Sequence, residues 1–369
     1  MVTQDGVLDP GWVRLRGSRI EDVGGATPPT GGVELRGRWV LPGFVDLHVH
    51  GGVGASHQSG APEDVAQVVE LHRRHGTTTM LASLVTAGLD AMQRSTAALA
   101  ELVQDGLIAG VHLEGPFLAE ARCGAHDPAL LRPPSPDSLA GLLAAGRGAV
   151  RMVTVAPELD GALDAVERLV GAGVLAAIGH TDATYRQTRL AVDAGASVAT
   201  HLFNGMRPIH HREPGPVVAL LGDSGVTVEL INDGVHLHPA VLVSALRWAG
   251  PGRVALITDA MAAAGAGDGD YALGGRAVHV RGAIARLAGG TSVAGSTLTM
   301  DAALRNAVRA GVPVPVAAAA AATTPARVLG LDRAVGAVAP GLAADLVILD
   351  DDLTVHAVLH HGSWVSPIS

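Results

Sequence analysis

The sequence PGFVDLHVHGG, residues 42–52, decides the fold of this chain. Its apolar residues form a short run that is typical of a buried strand, and His48 and His50 lie two residues apart at the end of that run. Residues i and i+2 of a strand point to the same face, so the two imidazoles can bind one cation together. For an isolated pair, two unrelated core or surface histidines are the alternative. Candidate ligands at later strand ends decide in favour of a metal site.

Length and composition set the class of protein. The chain has 369 residues, 48% of them hydrophobic, and its mean hydropathy is +0.32. This length suits an α/β barrel with a minor domain. No uninterrupted apolar run reaches the roughly 18 residues of a membrane span, and the first ten residues lack the features of a secretory signal. We therefore expect a soluble, cytoplasmic enzyme with no membrane partner.

Charge and side-chain usage exclude several functions. The net charge is −9 and the arginines are scattered, which argues against a nucleic-acid partner. Cys123 is the single cysteine, so a disulfide framework and a Cys-rich zinc finger are excluded. All 26 basic residues are arginine. Without lysine there is no Schiff base and no carbamylated lysine between two metals, so a bridging ligand must be Asp or Glu.

Short apolar runs alternate with amphipathic, Ala- and Leu-rich stretches through the middle of the chain. After the first strand, seven such runs follow at residues 77–85, 108–113, 150–155, 174–178, 197–200, 226–231 and 253–258. Helical stretches between them include residues 63–75, 89–103, 161–170, 184–194 and 239–248. Eight strands with intervening helices predict an α/β fold, a (β/α)8 TIM-like barrel, whose active site lies at the carboxyl ends of the strands.

Both ends of the chain have a different character. Short alternating segments occur at residues 12–16, 33–36, 39–41, 345–349, 355–359 and 364–365. Neither end has enough strands to bury a core by itself. We therefore expect residues 1–41 and 341–369 to pair into one small β-sandwich domain, which leaves residues 42–340 for the barrel.

Polar residues collect where the predicted barrel strands end. They are His48 and His50 in strand one, Glu114 in strand three, His180 in strand five, His201 in strand six and Asp259 in strand eight. Each residue alone can be a helix cap, a core histidine or a solvated acid. Six of them at one rim of a barrel indicate a metal-dependent active site.

The pattern His-x-His, Glu, His, His, Asp resembles the metal-dependent amidohydrolase superfamily. Further segments look like its N-acetylglucosamine-6-phosphate deacetylase family, and they lie at residues 112–117, 179–183, 201–206, 212–215, 233–236 and 258–260. The resemblance extends from about residue 41 to residue 344. It implies hydrolysis of the acetamide of N-acetyl-D-glucosamine 6-phosphate to D-glucosamine 6-phosphate and acetate, in amino-sugar catabolism.

The resemblance also implies how metal binds. Glu114, His180 and His201 match the primary metal site of the family. Some members lack the His-x-His pair and use one metal, whereas this chain has it. We therefore predict a second metal on His48 and His50, bridged by Glu114, and thus one or two divalent cations per subunit. Zn²⁺ is the first choice for these ligands, and Fe²⁺, Mn²⁺ and Co²⁺ accept the same set.

The catalytic residue implied by the resemblance is Asp259. A divalent cation lowers the pKa of bound water to about 7, and Asp259 would accept a proton from that water and return it to the leaving amine. A further metal ligand or a helix cap is the alternative for Asp259. His126, with Ala125, lies in a loop without secondary-structure signal and matches a family histidine near the acetyl group.

The phosphate-binding residues implied by the resemblance are Arg212 and His236, both donated by the neighbouring subunit of a homodimer. The planar guanidinium of Arg212 suits a phosphate or carboxylate, and a surface ion pair with Glu213 is the alternative. The remaining implied substrate contacts are Asn204, Gly205, Ala294, Gly295 and Ser296.

Two alternatives to this function stay open. One is another amidohydrolase, such as an N-acyl-amino-acid deacylase or a nucleobase deaminase. The other is a non-catalytic, amidohydrolase-like scaffold that has lost its metal. The scaffold would show gaps among the ligands, and the sequence shows none.

Overall fold

The computed structural model describes residues 1–35 and 37–365, and the chain begins with short antiparallel strands. These are β1 (Val2–Thr3), β2 (Gly6–Val7), β3 (Gly11–Arg16), β4 (Arg19–Gly25) and β5 (Trp39–Pro42). The strand predicted at residues 33–36 is not formed at residues 33–35, and Arg36 lies outside the described residues. Val33 is 63% exposed, so its side chain has no core to pack against.

Eight parallel strands form the central barrel. In chain order the strands of this region are β6 (Phe44–Val49), a small hairpin of β7 (Gly51–Gly52) and β8 (Ala55–Ser56), β9 (Thr77–Val85), β10 (Gly110–Glu114), β11 (Val150–Val155), β12 (Leu175–Ile178), β13 (Val198–Ala199), β14 (Thr227–Ile231) and β15 (Val254–Ile257). The sheet order is β15-β14-β13-β12-β11-β10-β9-β6. A parallel bridge between Val49 and Ala260 joins its two edges. The predicted (β/α)8 fold is therefore confirmed.

The barrel strands form because their side chains are buried on both faces. In β6, Val45, Leu47 and Val49 give one wholly apolar face at 0% exposure, and Phe44, Asp46 and His48 are buried on the other. A barrel strand is covered by side chains inside and by helices outside, which favours such continuous apolar runs. The ends of all eight strands lie within two residues of the predicted ends.

Helices cover the outside of the barrel. They are α1 (Pro62–Arg74), α2 (Leu89–Gln104), α3 (Pro136–Gly146), α4 (Ala162–Gly171), α5 (Tyr185–Asp193), α6 (Gly215–Leu221), α7 (Pro239–Ala249), α8 (Met300–Arg309), α9 (Val314–Ala318) and α10 (Thr324–Val328). The five predicted stretches correspond to α1, α2, α4, α5 and α7. Helix α3 was missed, although Ser135 and Ser138 form a capping box at its start. Among the described helices, none has the length and apolar character needed to cross a membrane.

A three-stranded antiparallel sheet follows β15 and was not predicted. Its strands are β16 (Gly269–Leu273), β17 (Arg276–Arg281) and β18 (Ile284–Leu287). Val278 and Val280 of this sheet share an apolar cluster with Val85 and Met261 of the barrel. The insert therefore packs on the barrel rim where the strands end.

The two ends of the chain meet in one antiparallel sheet. Strands β19 (Leu346–Leu349), β20 (Val355–His360) and β21 (Ser363–Trp364) join β5 in the order β21-β20-β19-β5. Ile20 of β4 lies in the same apolar cluster as Leu346 and Ile348. On this packing we propose the domain division at residues 41/42 and 340/341.

Candidate metal centre

The carboxylate of Glu114, the last residue of β10, lies among the imidazoles of the four predicted histidine ligands. Its Oε1 is 3.0 Å from Nε2 of His180 and 2.9 Å from Nε2 of His201. Its Oε2 is 3.2 Å from Nε2 of His50 and 3.6 Å from Nε2 of His48. Each oxygen therefore faces two predicted ligands, and Oε2 also contacts a fifth imidazole, that of His126.

Closure of the barrel between β6 and β15 brings Asp259 to the His-x-His pair. The N–H of Asp259 donates to the carbonyl of His48 at 2.9 Å, and the N–H of His50 donates to the carbonyl of Ala260 at 2.8 Å. As a result, Oδ1 of Asp259 is 3.2 Å from Nε2 of His50 and 3.5 Å from Nε2 of His48.

Outer hydrogen bonds orient three of the four imidazoles. Nδ1 of His180 pairs with the carbonyl of Arg122 at 2.8 Å, and Nδ1 of His50 pairs with the carbonyl of Ser83 at 3.2 Å. Nδ1 of His48 lies 3.4 Å from Oε2 of Glu229. Because each Nδ1 faces an acceptor, it carries the hydrogen, and the lone pair of Nε2 points into the centre.

The inward lone pairs make the centre fit a divalent cation. The Nε2 atoms of His48 and His50 are 3.0 Å apart, and those of His180 and His201 are 3.1 Å apart. Two lone pairs at this distance repel each other unless a cation lies between them. Imidazole and carboxylate ligands suit Zn²⁺ and related metals. Glu114, His180 and His201 could hold one cation, and His48, His50 and Glu114 could hold a second.

The electrostatics of the centre favour positive charge. Burial opposes ionisation, yet Glu114 and Asp259 hold the pKa of His48 well above its usual value. Burial likewise opposes the charge on the two carboxylates, but the surrounding histidines hold the pKa of Glu114 well below its usual value and lower the pKa of Asp259 to about 2. Both carboxylates are thus ionised at neutral pH.

Unusual backbone conformations present several of these side chains. His180, His201 and Asp259 follow strand ends with positive φ angles of 46°, 27° and 48°. Such angles are unfavourable for side chains with a Cβ and are concentrated at functional sites. Gly124 and Gly205 lie against the ring of His180, where a Cβ would come within 3.1 Å and 3.0 Å of ring atoms. This close approach and the positive φ angles of 57° and 61° favour glycine at both positions.

A cavity of about 330 Å³ opens beside the metal centre. The predicted site residues that line it are His50, Glu114, Ala125, His126, His180, His201, Asn204, Gly205, His236, Asp259 and Gly295. Its volume lies within the range of small-molecule sites. The structure therefore brings most of the predicted residues around one ligand-sized space.

His126 is a neutral hydrogen-bond donor in the wall of this cavity. Its Nδ1 accepts the backbone N–H of Thr86 at 3.2 Å, so the ring hydrogen lies on Nε2. That Nε2 is 3.3 Å from Oε2 of Glu114. Burial lowers the pKa of His126 to about 4, which keeps the ring neutral at pH 7.

His236 supplies positive charge to the same cavity. Burial opposes the charge, but Oδ2 of Asp233, 2.7 Å from Nδ1, raises the pKa of His236. The turn after β14 holds this pair because Asp233 also accepts the N–H groups of Val235 and His236. His236 was expected to act from a neighbouring subunit, whereas in this structure it lines the cavity of its own chain.

Three predicted substrate-binding residues do not line the cavity, and neither does the predicted metal ligand His48, which lies behind His50. Arg212 is exposed, and its Nη1 lies 2.7 Å from Nε2 of His211 rather than on Glu213, which accepts other N–H groups. Ala294 is buried in the cluster beneath the inserted sheet. Ser296 braces the end of β15, where its Oγ donates to the carbonyl of Thr258 at 2.6 Å. Substrate contacts of these residues stay predictions.

Sequence reasoning missed part of the site. The missed lining residues are Val85, Gly124, Ile231, Val235, Leu273, Ser292 and Val293. They are small or apolar and carry no chemical signal of their own. Glu229 was also missed, although a lone carboxylate within the apolar run of residues 226–231 is a usable signal.

Comparisons with known proteins agree with this geometry. Residues 39–365 match the amidohydrolase family. A structure of an N-acetyl-D-glucosamine-6-phosphate deacetylase mutant from Mycobacterium smegmatis, in complex with N-acetyl-D-glucosamine-6-phosphate, is 51% identical and covers 97% of this chain and 95% of its own, with a TM-score of 0.94. The deacetylase structure of the same name from Thermotoga maritima is 32% identical and covers 99% and 97%, with a TM-score of 0.88.

A curated relative matches over a similar length. The N-acetylgalactosamine-6-phosphate deacetylase of Escherichia coli O157:H7 is 39% identical over an alignment of 372 positions that covers 99% of this chain and 97% of that protein. The family match, the relatives and the arrangement of the ligands all agree. The chain therefore belongs to the amidohydrolase family of hydrolytic enzymes.

Proposed function

We propose that this amidohydrolase removes the acetyl group from N-acetyl-D-glucosamine 6-phosphate, giving D-glucosamine 6-phosphate and acetate in amino-sugar metabolism. The observation that carries the proposal is the carboxylate of Glu114 between two pairs of inward-facing imidazoles, with Asp259 opposite. This arrangement lies in a cavity that also holds the cationic His236. Relatives named for this activity support the substrate.

The cofactor is one or two divalent cations per chain, with Zn²⁺ as the first choice. Glu114, His180 and His201 would hold one, and His48, His50 and Glu114 would hold the other. A bound cation would supply Lewis-acid chemistry, since it polarises a carbonyl oxygen and lowers the pKa of water to about 7.

Asp259 is the proton carrier of the reaction. Because its pKa lies at about 2, the carboxylate is ionised at neutral pH and can accept a proton from the attacking water. The same carboxylate then returns the proton to the nitrogen of the leaving amine, and its fixed backbone bond to His48 keeps Oδ1 in place for both steps.

His126 orients the acetyl group. Its neutral ring presents an Nε2–H to the cavity, and this donor can bond the acetyl oxygen as negative charge develops there. The remaining walls, which include Leu273 and Val293 of the inserted sheet region, limit the access of bulk water.

The phosphate binds to His236 of the same chain and to Arg212 of a neighbouring subunit in a cytoplasmic homodimer. The side chain of His236 is 8% exposed and pairs with Asp233, which raises the pKa of the ring and so favours the protonated form that suits an anion. Arg212 is exposed outside its own cavity, as expected of a residue that acts on another copy. A guanidinium binds phosphate through two parallel hydrogen bonds.

A second candidate substrate is N-acetyl-D-galactosamine 6-phosphate. The relative named for that activity matches over 99% of this chain. The two sugars differ only in the configuration of the C4 hydroxyl, so the same metal centre and phosphate contacts serve both. The 51% identity to the Mycobacterium smegmatis enzyme favours the glucosamine compound.

The deciding experiment is an acetate-release assay of the metal-loaded chain. We expect fast release from N-acetyl-D-glucosamine 6-phosphate, slower release from the galactosamine compound, and loss of both with EDTA. Faster release from the galactosamine compound would reverse the order of the two candidates. No release from either sugar, with metal content measured in the same sample, would contradict the proposed function.

A further inference from the structure

Glu229 is a buried carboxylate that the proposed reaction does not use. It lies in the middle of β14 and is 0% exposed. Its Oε2 is 3.4 Å from Nδ1 of His48 and accepts the backbone N–H of His201 at 3.3 Å. Its Oε1 is buried with no hydrogen-bond partner among the described residues. Both contacts therefore reach candidate metal ligands.

Burial of this carboxylate requires a compensating interaction. A buried ionised group is strongly unfavourable unless it is paired or lies near a metal. A buried polar atom without a partner adds to this cost. The partners of Glu229 are the imidazole of His48 and the peptide N–H of His201. When His48 acts as a metal ligand its ring is neutral, so the charge that compensates Glu229 would come from the cation on the far side of His48.

The contact to His48 differs in kind from those to the other oriented imidazoles. Nδ1 of His50 and Nδ1 of His180 face neutral backbone carbonyls of Ser83 and Arg122, whereas Nδ1 of His48 faces a carboxylate. A carboxylate behind a ligand imidazole fixes the tautomer and makes the inner nitrogen more basic. The cation position that His48 and His50 would form therefore has the carboxylate of Glu229 directly behind one of its two imidazoles.

We propose that Glu229 is a positioning residue for the second cation, acting through His48. The inference deepens the proposed function and rests on it, because it concerns the cation that His48 and His50 would hold. The carboxylate holds His48 with its lone pair toward His50 and offsets part of the charge that a second cation brings into the barrel.

The test is a metal titration of the full chain. Metal-free wild type, E229Q and E229A are titrated with Co²⁺, and binding is followed by visible absorption and by elemental analysis. Removing such an outer partner costs about 10- to 100-fold in metal affinity. We expect this loss for the second cation only, with unchanged affinity for the first. E229Q retains an acceptor for Nδ1 of His48, so its affinity for the second cation should fall less than that of E229A.

Thr154→Val is the matched control. Thr154 lies in β11, is 0% exposed, and bonds to His112 and Thr200 rather than to a candidate ligand. This variant removes a buried polar group from the same barrel interior and should bind both cations as wild type does. If E229A fails to fold, E229Q against Thr154→Val decides the question.

The inference is overturned if E229Q and E229A bind the second cation with wild-type affinity. It is also overturned if Thr154→Val reduces the affinity for the second cation as much as these variants do. Its failure is distinguishable from failure of the proposed function, because acetate release is measured on the wild type. If the wild type is active and the Glu229 variants bind the second cation normally, only the role of Glu229 is refuted. If the wild type is inactive, the proposed function is refuted, and the metal titration still tests the role of Glu229.

Discussion

Two parts of the cavity wall suit ligands of opposite charge. One part is the candidate metal centre, where the ionised, buried carboxylates of Glu114 and Asp259 attract cations. The other part is His236 in the turn after β14, whose pKa is raised by Asp233, and this shift favours the protonated ring that suits an anion. The difference explains how one small cavity can orient a substrate that has an amide at one end and a phosphate at the other.

The two parts also differ in how completely one chain builds them. The candidate ligands of the metal centre lie at or just after the ends of β6, β10, β12, β13 and β15, and all of them are buried. The anion part has one buried imidazole, and its predicted arginine, Arg212, is exposed outside the cavity. Substitutions in the first part should therefore have the larger effects.

The largest effect is expected for Asp259→Asn. The amide retains the shape of the side chain but cannot carry a proton between water and amine, and general acid–base catalysis contributes about 10²- to 10⁴-fold. We expect kcat to fall by this factor while metal content and KM change little. Near-normal kcat in a metal-replete sample would show that another group transfers the proton.

The next effect separates the two cation positions. His48→Ala removes a ligand of one position, and His180→Ala removes a ligand of the other and leaves Glu114 with a single imidazole on Oε1. We expect the metal content of His48→Ala to fall from two to one per chain, and activity to fall more in His180→Ala. His279→Ala, an exposed residue on β17, is the control. Unchanged stoichiometry in His48→Ala would mean a single-metal centre.

Arg212→Ala probes the anion part of the wall. A hydrogen bond to a charged group contributes about 1.5–3 kcal/mol, which corresponds to about a 10- to 100-fold higher KM for the phosphorylated sugar. N-acetylglucosamine without phosphate should be unaffected, as should both substrates in Arg309→Ala, an exposed arginine of α8. Equal losses for both sugars would contradict phosphate binding by Arg212.

A smaller effect is expected on the pH dependence of KM, which His236 in the anion-binding part of the wall should control. Asp233 raises the pKa of His236, so the ring is charged below that raised value and loses its charge as pH rises through it. KM for the phosphorylated sugar should therefore rise with pH, while KM for the unphosphorylated sugar stays level. His236→Gln should remove the dependence, and a dependence that persists in this variant would assign it to another group.

The smallest effect concerns the loop behind His180. Asp182 pairs with Arg122 at 2.7 Å and with Arg207 at 2.7 Å, and the carbonyl of Arg122 holds the ring of His180. These side chains are about one-third exposed, and such pairs contribute about 0.2–1 kcal/mol. Asp182→Asn should weaken cation binding by at most about fivefold. Asp164→Asn breaks an exposed ion pair with Arg168 and is the control. An equal loss of cation affinity in this control would contradict the role of Asp182.

Sequence predicted the barrel, and it identified the candidate ligands that the structure brings together, because their signals are strong and local. Continuous apolar runs give the strands, and His, Glu and Asp at strand ends are chemically distinctive. The groups that orient the ligands are different, because two of them are backbone carbonyls, at Ser83 and Arg122, which every residue possesses. No side-chain pattern can identify them before the fold is known.

The inserted sheet and the origin of His236 could not be predicted for a related reason. Strands β16–β18 pack on Met261 and on Val85, the second of which is distant in sequence, and their own alternation is short. Whether His236 points into its own cavity or a neighbour's depends on the turn that Asp233 stabilises. Residues 33–35 show the opposite case. Their sequence has a strand-like pattern, but Val33 is exposed and has no surface to pack against, so no strand forms there.

The central claim is that the two oxygens of Glu114 serve two cation positions. Anomalous diffraction at the zinc edge from crystals of the Zn²⁺-loaded chain tests it most directly. We predict two peaks, one beside His180 and His201 and one beside His48 and His50, with the carboxylate of Glu114 between them. A single peak, or peaks away from Glu114, would contradict this account.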